Sequence, residues 1–407
     1  MKKILTFFVL LVGISIGYLL PSPPQIAAAV ISFSGDKNEK DYSYLESVTA
    51  FRQFQTMIDD ISKMVLKDAR SEQEVIDGMR FLLRNISVST EVGADGNPRY
   101  PFFQRMDTPA RKIGGDNIDG EYDVAVLDGL YDYKISGNIG SVRYLSFTIN
   151  GGKGMSKRYG MGYINAADLE TDAQGNFTLW LSKTKPTLPG TWIQITEDAS
   201  NVMSRQYIGD RSKEKLATYN IEAVRSEQAL IDLRSDATTA NAIAGTTYTF
   251  MTLATLHRTV LSDLLDHPNE MKVVSGKTLG GDVAGESNLY FLGFFEIEDD
   301  EALIIEVTPP ATDFWNFTTY SIWNEAPEYR YRPTSLTIDS TVLDEQGNAR
   351  FVLSKDNPGV ANWIDLNRYQ RGFMLFRWVD NDEVTAPKLK LLKQTEAKAF
   401  FDNPRFE

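Results

Sequence analysis

Apolar positions recur every three or four residues between Asp41 and Asn85. They are Tyr44, Val48, Phe51, Phe54, Met57, Ile58, Ile61, Met64 and Val65, then Val75, Met79, Leu82, Leu83 and Ile86. That spacing lines one face of a helix, and Ser71-Glu72-Gln73-Glu74 offers a capping box at the start of a second one. The aromatic and Met stripes read as core. From Val88 onward the period shortens to two, in short runs broken by Gly, Asn and Asp, of which Tyr131 to Ile135 and Arg143 to Ile149 are the clearest strands. The Gly-rich stretch Gly151 to Gly162 reads as a hairpin tip. A helical pattern returns from Lys213 to His267, through Leu216, Ile221, Val224, Leu230, Ile231 and Leu233 and then Phe250 to Leu265, and Pro268 ends it. Strands resume after Lys272, at 289–297, 302–307, 315–322, 336–342 and 372–378.

Two of these stretches are edited copies of one another. Asp172-Ala173-Gln174-Gly175-Asn176 leads into a strand containing Leu179 and Leu181, then Ser182-Lys183, Pro186, Trp192-Ile193 and Arg205. Asp344-Glu345-Gln346-Gly347-Asn348 leads into one containing Phe351 and Leu353, then Ser354-Lys355, Pro358, Trp363-Ile364 and Arg377. A single one-residue gap aligns them. An Asp opening a turn, with Gly three positions later, suits a type I turn whose Gly is left-handed, the tip of a hairpin. Gly114-Gly115-Asp116 and Gly280-Gly281-Asp282 stand at similar distances upstream.

Helices, strands, helices and strands in that order predict a mainly β chain: two related antiparallel β-sandwich or jelly-roll domains plus a helical region. The boundaries read as a signal peptide or anchor over 1–29, a helical N-terminal region over 30–90, a first β-sandwich over 91–210, a helical insertion over 211–270 and a second β-sandwich over 271–407. At 407 residues the chain is too long for one ordinary core.

Composition narrows the chemistry. A chain 42% hydrophobic and 24% charged is a folded globular one, and a net charge of −13 argues against nucleic acid as a partner. There is no cysteine, which excludes disulfides, thiolate metal sites and a cysteine nucleophile. Only His257 and His267 exist, so a multi-histidine metal site is impossible and a catalytic base would be a carboxylate. No Gly-x-Ser-x-Gly element supplies a serine nucleophile for His257, which reads as a core histidine. Met1-Lys2-Lys3, the apolar run Ile4 to Leu20 and the small residues Ala27 to Ala29 fit a secretory signal; left uncleaved, the run is just long enough to anchor the chain. Either way the bulk of the protein is expected outside the cytoplasm, periplasmic or extracellular.

Three clusters are candidate ligand-binding sites. Asp116, Asn117, Asp119 and Tyr122 put oxygen and amide groups on a turn beside a strand, suited to a cation or a sugar; an Asx turn satisfying its own backbone is the structural alternative. Tyr329, Tyr331 and Arg332 could stack on a glycan or bind an acidic small molecule; an amphipathic sheet edge is the structural alternative and the favoured one. Asp356, Asn362, Trp363 and Arg377 could line a cleft, although Trp192 and Arg205 at the equivalent places favour packing. No cofactor is expected, and a carboxylate-bound calcium is the one ion these residues leave open.

The segment Asp356-Asn357-Pro358-Gly359-Val360-Ala361-Asn362-Trp363-Ile364-Asp365, with Gly372 and Phe376-Arg377-Trp378, resembles the signature of the DUF1214 family. Gly115-Asp116-Asn117-Ile118-Asp119 with Tyr122 is similar to the Gly-x-Asn-Pro-Asp-x-x-Tyr element of paired DUF1254/DUF1214 proteins, with Ile118 in place of the usual proline. The resemblance implies β-sandwich or jelly-roll domains beside a helical one, and no reaction. Two functions stay open: a non-catalytic binding or structural protein of the envelope, with carbohydrate as the preferred ligand class and a small acidic ligand as the other, or a hydrolase using two carboxylates in a cleft between the β domains.

Overall fold

A computed structural model describes residues 40–153, 156, 158–224, 235–259, 261–275, 288–367, 369–379, 381, 385–404 and 406. The signal or anchor segment and Gly280-Gly281-Asp282 lie outside them. Among the described residues no helix is long and apolar enough to cross a membrane.

The N-terminal pattern folds as predicted into α1 (Glu46–Asp68) and α2 (Glu72–Asp95), where the Ser71 side chain accepts a hydrogen bond from the Glu74 N–H at 3.2 Å. Helix α2 runs past Val88, because Val88 keeps the helical spacing and is fully buried. Both helices pack on α3 (Asp236–Ala254), which is followed by the short α4 (Leu256–Thr259) and a 3-10 turn ending ahead of Pro268.

The first sandwich has a five-stranded sheet in the order β1 (Gln104–Arg105), β2 (Gly120–Val126), β8 (Ala199–Tyr207), β4 (Tyr144–Gly151), β5 (Tyr159–Asn165). Facing it is a four-stranded sheet in the order β7 (Thr191–Gln194), β6 (Asn176–Ser182), β3 (Tyr133–Asn138), β9 (Thr218–Ala223). The second repeats this strand for strand. Its large sheet runs β10 (Glu270–Ser275), β11 (Leu289–Glu296), β17 (Arg371–Trp378), β13 (Trp315–Tyr320), β14 (Ser335–Thr337), and its small one β16 (Trp363–Asp365), β15 (Ala349–Ser354), β12 (Glu301–Val307), β18 (Lys388–Lys393). A last helix, α5 (Gln394–Asp402), packs on the second small sheet. The two related β domains are therefore duplicates in topology.

Two expectations need correction. The segment around Leu216, Ile221 and Val224, read as helix, forms strand β9, with Ile221 buried in the first sandwich core; its exposed and covered positions alternate with period two, a pattern that sparse apolar residues at wide spacing disguise. The sheets are also not purely antiparallel, since β6 pairs with β7 and β15 with β16 in parallel. The repeated turn closes as predicted, with Gly175 and Gly347 at φ +81° and +82°, conformations an L side chain would strain. Its leading arm, however, is a single bridge at Thr171 and at Leu343, so the unit is less than a full hairpin.

Both sandwich cores are closed by the inner faces of their sheets. The outer face of the second large sheet is buried as well, because α1, α2 and α3 bring Phe54, Ile61, Phe81 and Phe250 against Tyr290, Leu292, Phe373 and Leu375. That double burial is why β13 and β17 are covered at every position.

Candidate functional site

The outer faces of the two large sheets meet at a seam, where Tyr144 and Tyr207 of the first domain pack on Phe314 and Val379 of the second. Register then builds a symmetric pair. On the first sheet Arg205 lies across from Tyr122 on β2 and Ser146 on β4; on the second, Arg377 lies across from Tyr290 on β11 and Asn316 on β13. Alternation along each strand sends these residues outward while their neighbours fill the cores. Between the sheets, capped by Leu256 and Leu261, is a cavity of about 280 Å³.

Both arginines border it and both are buried, Arg205 at 6% exposure and Arg377 at 5%. The Arg377 guanidinium lies 5.7 Å from the ring centres of Tyr207 and Tyr290, and that of Arg205 lies 5.9 Å from Tyr122, contacts in which an aromatic face stabilises a cation. Arg377 donates from Nη1 to Asn316 Oδ1 at 3.1 Å, while its Nε has no hydrogen-bond partner among the described residues. Arg205 donates from Nη1 to Thr148 Oγ1 at 2.6 Å.

Carboxyl groups border the same cavity. Burial, with the neighbouring Asp116, pushes Asp107 up to about 8, and its Oδ1 has no hydrogen-bond partner among the described residues. Burial likewise raises Asp116 to about 6, against the Ala326 N–H that donates to its Oδ1 at 2.8 Å and the charge of Lys112. Behind Asp116, burial lowers the Lys112 amine, which donates to the Ala326 and Pro327 carbonyls, and raises Glu325 to about 8 despite a 2.6 Å bond from Arg84. A protonated carboxyl at Asp107 would present a hydrogen-bond donor at neutral pH.

The residues singled out by sequence part company here. Asp116, Tyr122 and Arg377 border the cavity. Asn117 and Asp119 hold the seam: Asn316 Nδ2 donates to both, at 3.0 and 2.8 Å, and Ser335 donates to Asp119. Tyr329 and Arg332 border a second, outer groove of about 580 Å³ that shares Asp107 with the cavity, and Tyr331 beside it is 80% exposed. There Tyr329 packs against Lys112, and Arg332 is paired with Asp365 at 2.7 Å. Asp356, Asn362 and Trp363 lie away from both. The Asn362 amide ties Val342 to Arg350, and Trp363 Nε1 donates to Ser354 Oγ at 3.1 Å, as Trp192 Nε1 does to Ser182 Oγ at 3.0 Å. Among the described residues no three His, Asp or Glu side chains converge as a metal site. Sequence reasoning missed Asp107, Tyr207 and Tyr290 and set Arg205 aside as packing; the available signal was a Tyr and an Arg recurring together in both copies.

Residues 302–382 match the family described as "Protein of unknown function (DUF1214)". No curated protein matches the chain. Among solved structures, an uncharacterised protein from Burkholderia cenocepacia is similar at 24% identity and TM-score 0.79, over 85% of this chain and 97% of that one. A structural-genomics target from Vibrio parahaemolyticus is similar at 13% identity and TM-score 0.47, over 78% of this chain and 98% of that one. The Burkholderia likeness is one of fold.

Proposed function

We propose that the protein is an exported, non-catalytic binding protein that holds a small organic acid in the seam cavity. One observation carries this reading: Arg377 is buried, borders the cavity and, among the described residues, has no hydrogen-bond partner for Nε and no ion pair with a carboxylate. A guanidinium keeps its proton, and a buried charge with no directly bonded carboxylate, only Asp119 behind Asn316, is costly. An anionic ligand would offset that cost. The tyrosines around it favour the same class, offering ring faces and hydroxyls to a planar acid.

A glycan fits less well. The cavity is at the small end for ligand pockets, and in the Tyr329 to Arg332 strip Lys112 lies over the Tyr329 ring and Arg330 over the exposed Tyr331 ring. Export rests on the N-terminal apolar run, and kinship with DUF1254 proteins on the element from Gly115 to Tyr122. A carboxylate-dependent hydrolase stays as the second reading because Asp107 and Asp116 border one cavity with raised pKa values, as an acid and base pair would.

Calorimetric titration of the full-length protein against acids, neutral sugars and divalent cations tests the first reading. Acids should bind, and Arg377→Met should abolish that binding. Turnover of a glycoside or ester that is lost in Asp107→Asn would favour the second.

A further inference from the structure

We infer that the ligand is an amphipathic monocarboxylate, with its carboxylate at Arg377 and an apolar tail lying along the outer face of the second large sheet. The inference rests on the small-acid reading and adds the shape of the ligand. Register supplies the argument. The row holding Arg377, Tyr290 and Asn316 is polar; the next row on that face is Leu375, Leu292 and Thr318, and the one after is Phe373, Phe294 and Tyr320. Leu375, Leu292 and Phe373 border the cavity, and Leu256 and Leu261 oppose them. Two residues of strand advance roughly 7 Å, so the wall turns apolar one row, roughly 7 Å, from the guanidinium.

Charge around the cavity sets the head group. A single guanidinium fork matches one carboxylate bidentately. A phosphate dianion would need more positive charge, yet Asp107 and Asp116 border the same space and Asp119 is bonded to Asn316, the acceptor of Arg377. A second carboxylate on the ligand would meet leucine and phenylalanine, or an Arg205 already donating to Thr148.

The test is titration of the unmodified full-length protein with straight-chain monocarboxylates of increasing length, the dicarboxylates of equal length, and the corresponding primary amides. Affinity for monocarboxylates should rise about fourfold per methylene until the tail fills the wall, each dicarboxylate should bind more weakly than its monocarboxylate, and the amides should not bind. Arg377→Lys, which keeps the charge and loses the fork, should weaken the best monocarboxylate at least tenfold with the circular dichroism spectrum unchanged. Affinity that is flat with chain length, or a dicarboxylate or alkyl phosphate that binds more tightly, overturns the amphipathic inference and leaves acid binding standing. If no acid binds at all, both fall together.

Discussion

Asp107 and Arg377 border one cavity and solve the same electrostatic problem differently. Arg377 cannot give up its charge, so it gathers tyrosine faces and the Asn316 carbonyl around it. Asp107 can become neutral, and burial moves its pKa up to about 8, with Glu325 at about 8 and Asp116 at about 6. A carboxyl whose folded pKa is raised binds more protons folded than unfolded, so the stability it contributes is complete below the unfolded pKa and lost as pH rises through the folded one. Stability should therefore fall between about pH 4 and pH 8. Thermal melts across that range check this, and Asp107→Asn, which cannot ionise, should flatten the slope and raise the melting temperature at pH 8. Equal slopes in the two proteins would mean that Asp107 is ionised in the folded state. At lower pH the sign reverses, because Asp68 and Glu74 are held below their usual values by Arg258 and His257 and by Arg371, in each case against their burial.

Among the elements, the duplicated stretch from turn to β8 and from turn to β17 was legible because its cues are local: an Asp and a left-handed Gly at fixed spacing, then alternating apolar residues. The matching tryptophans, read as packing elements, each donate to a serine of the neighbouring parallel strand. Trp192→Phe and Trp363→Phe should each cost about 0.5–1.5 kcal/mol in chemical denaturation and leave ligand affinity unchanged; a large affinity loss would place Trp363 in a site after all. For Arg205 and Arg377 the same argument from repetition left out the cavity that both border. Repetition shows that a residue serves the shared fold or the shared seam, and only cross-strand register, invisible along one chain, tells which. Strand β9 was missed for a related reason, since its partner β3 is remote in sequence and decides its conformation. Contacts as remote hold the helices: Arg371 on β17 donates to both carboxylate oxygens of Glu74 on α2, at 2.7 and 2.6 Å, with both side chains largely buried. Arg371→Met leaves the buried Glu74 carboxylate without its bidentate partner, held among the described residues by the Arg70 N–H alone, and should destabilise the protein by about 3 kcal/mol in the same denaturation assay.

Across the whole molecule, neither sandwich is finished without the rest of the chain. The outer face of the second large sheet forms one core with α1, α2, α3 and Ile118 from the turn ahead of β2. That turn is fastened to the second domain throughout: the Gly115 N–H donates to the Asn324 carbonyl at 2.6 Å, Asp116 accepts from Ala326, and Asn117 and Asp119 accept from Asn316. At the far end of the seam Arg143 pairs with Asp339, and Thr337 donates to the Gly209 carbonyl at 2.8 Å. Contacts this evenly shared couple the domains, so unfolding one exposes apolar surface of the other. Scanning calorimetry should show a single transition. Because the cavity is lined from both domains, a ligand bound in it should stabilise that whole transition, by about 2.7 kcal/mol at a hundredfold excess over its dissociation constant. Two separate transitions, with the acid ligand moving only one, would show that the seam is a loose contact and that Arg205 and Arg377 do not share a site. One transition that shifts as a unit would make the duplication itself the origin of the site, since each copy supplies an arginine and its tyrosine to the same cavity.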